Sequence, residues 1–157
     1  MSATLDRLKE LGLALPPAAA PVANYVGFQR SGNLVIISGQ LPFGANGQID
    51  PGHKGKVGAA VSPEAAAEAA KHCALNVLAQ LRAAAGNLDD AVVSCLRLGG
   101  FINAAPGFSA IAGVMNGASD LMVQVLGERG RHARSTIGVA ELPLDAVVEV
   151  EGMFELR

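Results

Sequence analysis

The residue types able to do chemistry gather near the end of the chain. Read as a strand, residues 133–140 (ARSTIGVA) place Arg134, Thr136, Gly138 and Ala140 on one face and Ser135, Ile137 and Val139 on the other. In residues 146–156, Val148, Val150 and Phe154 share a face, and Glu149, Glu151 and Glu155 point the other way. As a closing hairpin, these strands are expected to turn their Ile/Val/Phe face toward helices and to carry Arg134 and the glutamates together on the other. There the planar guanidinium of Arg134 would hold a small anion through two parallel hydrogen bonds. Glu149 would orient or deprotonate a water, helped by the neighbouring charge of Glu151, which raises its pKa. An ordinary solvated face of an antiparallel hairpin shows the same alternation, which leaves both readings open.

Other candidates are weaker. His132, two residues before Arg134, would share its face on a continued strand and serve as an acid or base near neutrality; it is equally read as a loop histidine at the mouth. His53 and His72 have no ligand spacing, so no metal site is expected. The Gly-rich GANG (44–47) lacks the lysine and helix of a phosphate loop, and no cofactor is expected. Ser38 has no evident base and reads as a pocket hydroxyl. Arg129, Arg131, His132 and Arg134 form a basic cluster that could bind phosphate and keeps an RNA-cleaving reading open. A pI near 5.9 and the absence of stacking aromatics nearby argue against nucleic acid. Cys73 and Cys95, without CxxC spacing, read as buried thiols in a reducing, cytoplasmic setting.

The elements that must position these residues follow the order ββαβαββ. Residues 25–29 and 34–39 read as strands joined by a tight turn at Ser31-Gly32-Asn33, followed by a loop over 42–61. Ser62-Pro63-Glu64 starts a helix that Gly86 ends. A strand over 91–102 is expected to kink at Gly99-Gly100. A second helix runs from about 107 to 126, weakened at Asn116-Gly117 and recapped at Ser119. Before all of this, residues 1–21 read as an appendage: a short helix capped by Ser2 or Thr4 and free to pack on a neighbour, then the extended linker LPPAAAP (15–21). Residues 22–157 form the main domain, of the α+β class: one mixed sheet with two main helices on one face.

Half of the 157 residues are apolar and 17% are charged, which excludes intrinsic disorder. The net charge is −2, with 4% aromatics and no Trp, so a general nucleic-acid binder is not expected. So little charge covers a monomer's surface poorly, and self-association is expected. The long uncharged stretch 98–119 contains Pro106 and five glycines, which disqualifies it as a membrane span.

Two segments carry a family resemblance. ARSTIGVAELPLDAVVEVEG (133–152) resembles the closing signature of the YjgF/RidA family, and SGNLVIISGQLP (31–42) resembles its Ser-Gly-Gln hairpin, with Tyr25 at the spacing of the family's active-site tyrosine. The resemblance runs from about residue 24 to the C-terminus. It implies a chorismate-mutase-like fold, a homotrimer with clefts between subunits, and hydrolysis of reactive enamine/imine intermediates to 2-keto acids and ammonia. It also implies roles: Arg134 for the ligand's carboxylate, Glu149 for the attacking water, Gly39 for a backbone N–H, and Tyr25, Ser38 and Thr136 for the lining. Asn116 matches the pocket asparagine, with Asn103 as the alternative. Two departures stand out: the family's deaminases usually have Glu where this chain has Gly138, and often Cys in place of Thr136. The longer GERGRHARS segment (127–135) resembles a divergent subgroup labelled endoribonuclease.

Overall fold

The computed structural model describes residues 2–157. Its elements are α1 (Ala3–Glu10), β1 (Phe28–Ser31), β2 (Leu34–Gln40), α2 (Pro63–Ala85), α3 (Leu88–Ala91), β3 (Val92–Asn103), α4 (Ile111–Leu126), β4 (Ala133–Val139) and β5 (Val148–Leu156). The strands form one mixed sheet in the order β1-β2-β5-β3-β4. All neighbours are antiparallel except β3 and β4, which are parallel. The α+β architecture expected from the element order is present.

One side of the sheet is covered by α2 and α4. Val148, Val150 and Phe154 of β5 are fully buried beneath them, and Val77 of α2 reaches Gly152, where a Cβ would lie only 3.2 Å from its Cγ1. The start of α2 follows its sequence: Ser62 accepts the N–H of Ala65 at 3.1 Å, Pro63 opens the first turn, and Gly86 stops the helix at φ +76°. Small residues on α2 let α4 approach closely. A Cβ at Gly117 would lie 2.0 Å from the Ala67 carbonyl oxygen. That contact is why α4 runs unbroken through Asn116-Gly117 and needs no cap at Ser119; the glycine lowers helix propensity but permits the packing.

Three further expectations change. The first strand begins at Phe28 rather than Tyr25, leaving Tyr25 and Val26 exposed in irregular backbone. Gly99-Gly100 does not kink β3; the register shifts fall earlier, between Val92 and Ser94 and between Cys95 and Arg97. The two glycines instead make room on opposite faces, Gly99 for Glu151 and Gly100 for Met115. The N-terminal helix is docked on its own chain instead of standing off as an appendage: Leu8 is 1% exposed, Arg7 donates to the Val125 carbonyl, and Asp89 accepts from Ser2 and Thr4.

The largest change concerns the closing hairpin. β4 and β5 follow each other in sequence but do not pair; β3 lies between them. Arg134 is level with Leu98, and Leu98 with Gly152, so Arg134 is in phase with the buried row Val150–Gly152–Phe154. Arg134 therefore faces the helices, while Ile137, level with Phe101 and Glu149, lies half exposed on the open face. The expected shared Arg134–Glu149 face does not exist within one chain. The arginine on the glutamate face is Arg97, whose Nη1 is 3.0 Å from Glu151. Cys73 and Cys95 are buried free thiols, as expected.

Candidate functional site

The predicted site residues divide into two groups. The first lies where the β4 edge meets α4. Arg134 donates from Nη1 to Ser119 Oγ at 3.0 Å and from Nη2 to the Ala112 carbonyl at 3.1 Å. Ala112 and Ser119 are seven residues apart on α4, so the exposed Asn116 stands on the same helical face. Thr136 is two residues along the strand on the Arg134 side, its Oγ1 buried without a partner. His132 completes the group: its Nδ1 is 2.6 Å from the Gly130 carbonyl and its Nε2 is 2.9 Å from Ser119 Oγ. A carbonyl can only accept, so Nδ1 carries a proton toward Gly130, and Nε2 shares a hydrogen bond with the Ser119 hydroxyl. Ser119 thus links histidine to guanidinium. Sequence reasoning saw it only as a helix cap; its i+7 spacing from Ala112 was the available signal.

The second group surrounds a cavity of about 590 Å³ bounded by the proline linker, the 39–47 segment and the Pro143-Leu144 turn. Tyr25, Gly39 and Glu149 line it. The spacing between Ile37 and Gln40 exceeds that of their β5 partners by one residue, a bulge at Ser38-Gly39. It seats the Glu149 carboxylate where a Cβ of residue 39 would be, 2.0 Å away, so a side chain there would displace the carboxylate. Burial first, and then the charge of Glu151, push the Glu149 carboxyl above the usual range, as the paired glutamates led us to expect. Ser38 donates to the Val26 carbonyl at 2.6 Å and fixes the segment carrying Tyr25.

Several side chains are committed elsewhere. Asn103, fully buried, donates to the Gly55 and Ala146 carbonyls and accepts from Lys56 Nζ at 2.7 Å, so it holds loops together and leaves Asn116 as the accessible asparagine. In the basic cluster, Arg129 donates to the carbonyls of Asp89 and Val92, and Arg131 pairs with Glu128 at 2.9 Å. His53 and His72 lie with ring centroids 5.4 Å apart, and burial followed by the His72 charge lowers the His53 pKa. Among the described residues, no group of three His, Cys, Asp or Glu is placed to hold a metal ion, and no helix is long and apolar enough to cross a membrane.

A five-stranded mixed sheet with two main helices on one face defines the class of chorismate-mutase-like α+β folds. The chain belongs to the family described as "YjgF/chorismate mutase-like, putative endoribonuclease", whose profile matches residues 5–156. It is 44% identical over 151 residues to Protein TCP17 of Trypanosoma cruzi, covering 96% of this chain and 92% of that one. The Agrobacterium tumefaciens protein Atu1372, described as of unknown function, is 45% identical with a TM-score of 0.91, covering 99% and 93% of the two chains. A Shewanella oneidensis protein described as a "putative endoribonuclease" is 31% identical with a TM-score of 0.92, covering 99% and 100%. That coverage makes the N-terminal helix and linker part of the shared structure. Escherichia coli TdcF, solved with bound serine, shares the fold at 22% identity and a TM-score of 0.62, covering 91% and 94%.

Proposed function

We propose that the chain works as a homotrimer whose intersubunit clefts bind a small carboxylate or imino acid and hydrolyse a reactive enamine or imine to a 2-keto acid and ammonia. The observation that carries this reading is the separation of Arg134 from Glu149. They leave opposite faces of one sheet, so a ligand touching both must lie between two copies of the chain. Arg134, at the edge strand, clamps the carboxylate from one copy with Asn116 and Thr136 beside it. The other copy contributes Tyr25, the Gly39 amide and Glu149. Glu149 takes a proton from water as oxygen adds to the imine carbon and passes it to the imine nitrogen; as the C–N bond of the carbinolamine breaks, Glu149 relays the hydroxyl proton to the departing amine, giving ammonia and the keto acid. Ser119 and His132 hold the guanidinium in place. The serine bound to TdcF has the same head group this site is suited to take.

A second reading, a trimer that binds such acids without turnover, is favoured by Gly138. Only the Ala104 Cβ lies within 4 Å of where its side chain would begin, at 3.9 Å, so the space a glutamate would use holds none. The RNA-cleaving reading suggested by the relatives' descriptions is disfavoured, because Arg129 and Arg131 are already partnered within the chain.

Ammonia release from freshly generated 2-aminoacrylate separates the readings. Turnover above the protein-free rate supports hydrolysis; 2-ketobutyrate binding without turnover supports the second. Arg134→Lys keeps the charge but loses the two-pronged geometry, and should weaken 2-ketobutyrate binding by about 1.5–3 kcal/mol, the range for charged hydrogen bonds. Glu149→Gln should bind almost normally and turn over roughly 10²–10⁴-fold more slowly. Unchanged binding in Arg134→Lys would remove the anion site from β4.

A further inference from the structure

The cavity beside Glu149 is larger than a three- or four-carbon imino acid requires. Its volume of about 590 Å³ falls within the range of roughly 300–1,000 Å³ found for sites that enclose drug-sized ligands. Its walls are mostly apolar, among them Pro17, Pro21, Val22, Phe43 and Leu144. Glu149 is the one ionisable acid on this lining, and no Lys, Arg or His joins it.

Two buried amides fix the opposing walls. Gln80, 3% exposed, donates to the Ala19 carbonyl at 2.7 Å and ties down the proline linker. Asn76, one helical turn earlier and 2% exposed, donates to the Phe43 carbonyl at 2.8 Å and holds the opposite loop. The Asn76 nitrogen also meets the His72 carbonyl, so Oδ1 is the acceptor this lining side chain can still offer. Glu149 and Asn76 Oδ1 thus set a carboxyl and an acceptor among mostly apolar walls, beside the Tyr25 hydroxyl and the Gly39 N–H. A ligand with an N–H group for these acceptors and an apolar body for the walls matches this lining.

We infer that this cavity takes the side chain of an amino or imino acid with a large apolar substituent, its nitrogen at Glu149 and its body against the proline linker and Leu144. The inference rests on the reading above, in which Arg134 of a second copy takes the carboxylate. It makes the linker a specificity element: the segment that first reads as a spacer is a wall of the site.

The test is calorimetric titration of the full chain with L-alanine, L-2-aminobutyrate, L-norvaline and L-norleucine. Full burial of a methylene supplies about 0.8 kcal/mol, so affinity should rise about two- to fourfold per added carbon. Ala20→Trp, at an exposed linker position on the lining, should abolish that gain and bring norleucine affinity down to that of alanine. The same order should appear in ammonia release when the matching imino acids are generated in place. Equal affinity across the series, with alanine still bound, would overturn the inference and leave the carboxylate site standing. Binding of 2-ketobutyrate with no amino acid bound would also overturn it. Loss of binding for every ligand, 2-ketobutyrate included, would overturn the inference together with the reading on which it rests.

Discussion

At the residue scale, Glu149 joins stability to function. Its carboxyl is raised by burial and then by Glu151, so the folded chain holds that proton more tightly than the unfolded chain. The contribution is complete below the unfolded value near 4.5 and is lost as pH rises through the higher folded value. Glu149→Gln removes the ionisation, so the variant should be more stable than the parent at pH 7. The two should converge near pH 4, where both carry a neutral side chain. Urea melts at the two pH values check this; an equal gap at both would assign the effect to packing. A carboxyl raised above its usual range suits a water-activating group, and Gly39 leaves the space above its Cα to that carboxyl.

At the element scale, the N-terminal segment is fastened at two points. Asp89 accepts from the Ser2 and Thr4 hydroxyls and the Thr4 N–H, and Arg129 lies 3.6 Å away. Partial burial opposes ionisation, but these partners prevail, and the Asp89 carboxyl sits below its usual range. Its share of stability is present above about pH 4 and is lost as pH falls through the lowered folded value. Asp89→Ala should cost about 1–2 kcal/mol, and amide exchange should quicken in α1 well before α2 or β5. Uniform loss of protection across all three would show that α1 unfolds only with the whole domain. Because α1 leads into the linker held by Gln80, the same substitution should weaken norleucine binding more than alanine binding.

At the scale of the whole molecule, the open sheet face carries Ile36 and Ile137, each about half exposed, beside the Arg97–Glu151 pair. An apolar face seeded with a few charges suits burial against other copies better than it suits water. The proposed assembly predicts a light-scattering mass of about three times 15.9 kDa in dilute solution. Ile137→Arg should shift that mass toward one chain and abolish 2-ketobutyrate binding with it, since each cleft draws on two copies. A folded monomer that still binds 2-ketobutyrate would show that one chain suffices.

Local chemistry settled a great deal from sequence. The Ser62-Pro63 start and Gly86 stop of α2 were legible because capping acts between residues three or four apart. The alternation in β4 and β5 was legible because successive side chains point to opposite sides. The smaller cause of the raised Glu149 carboxyl, Glu151 two residues away on one strand, was legible; the larger cause, burial, was not. Alternation does not say which side of a strand meets the core. That depends on its neighbours, and β5 inserts between β2 and β3 through contacts distant in sequence. Only the tertiary structure therefore turned Arg134 toward α4, gave Glu151 to Arg97, and made Ser119 the link between His132 and Arg134. It also folded the proline linker back as a cavity wall, because the anchor that holds it, Gln80, lies 61 residues from Ala19.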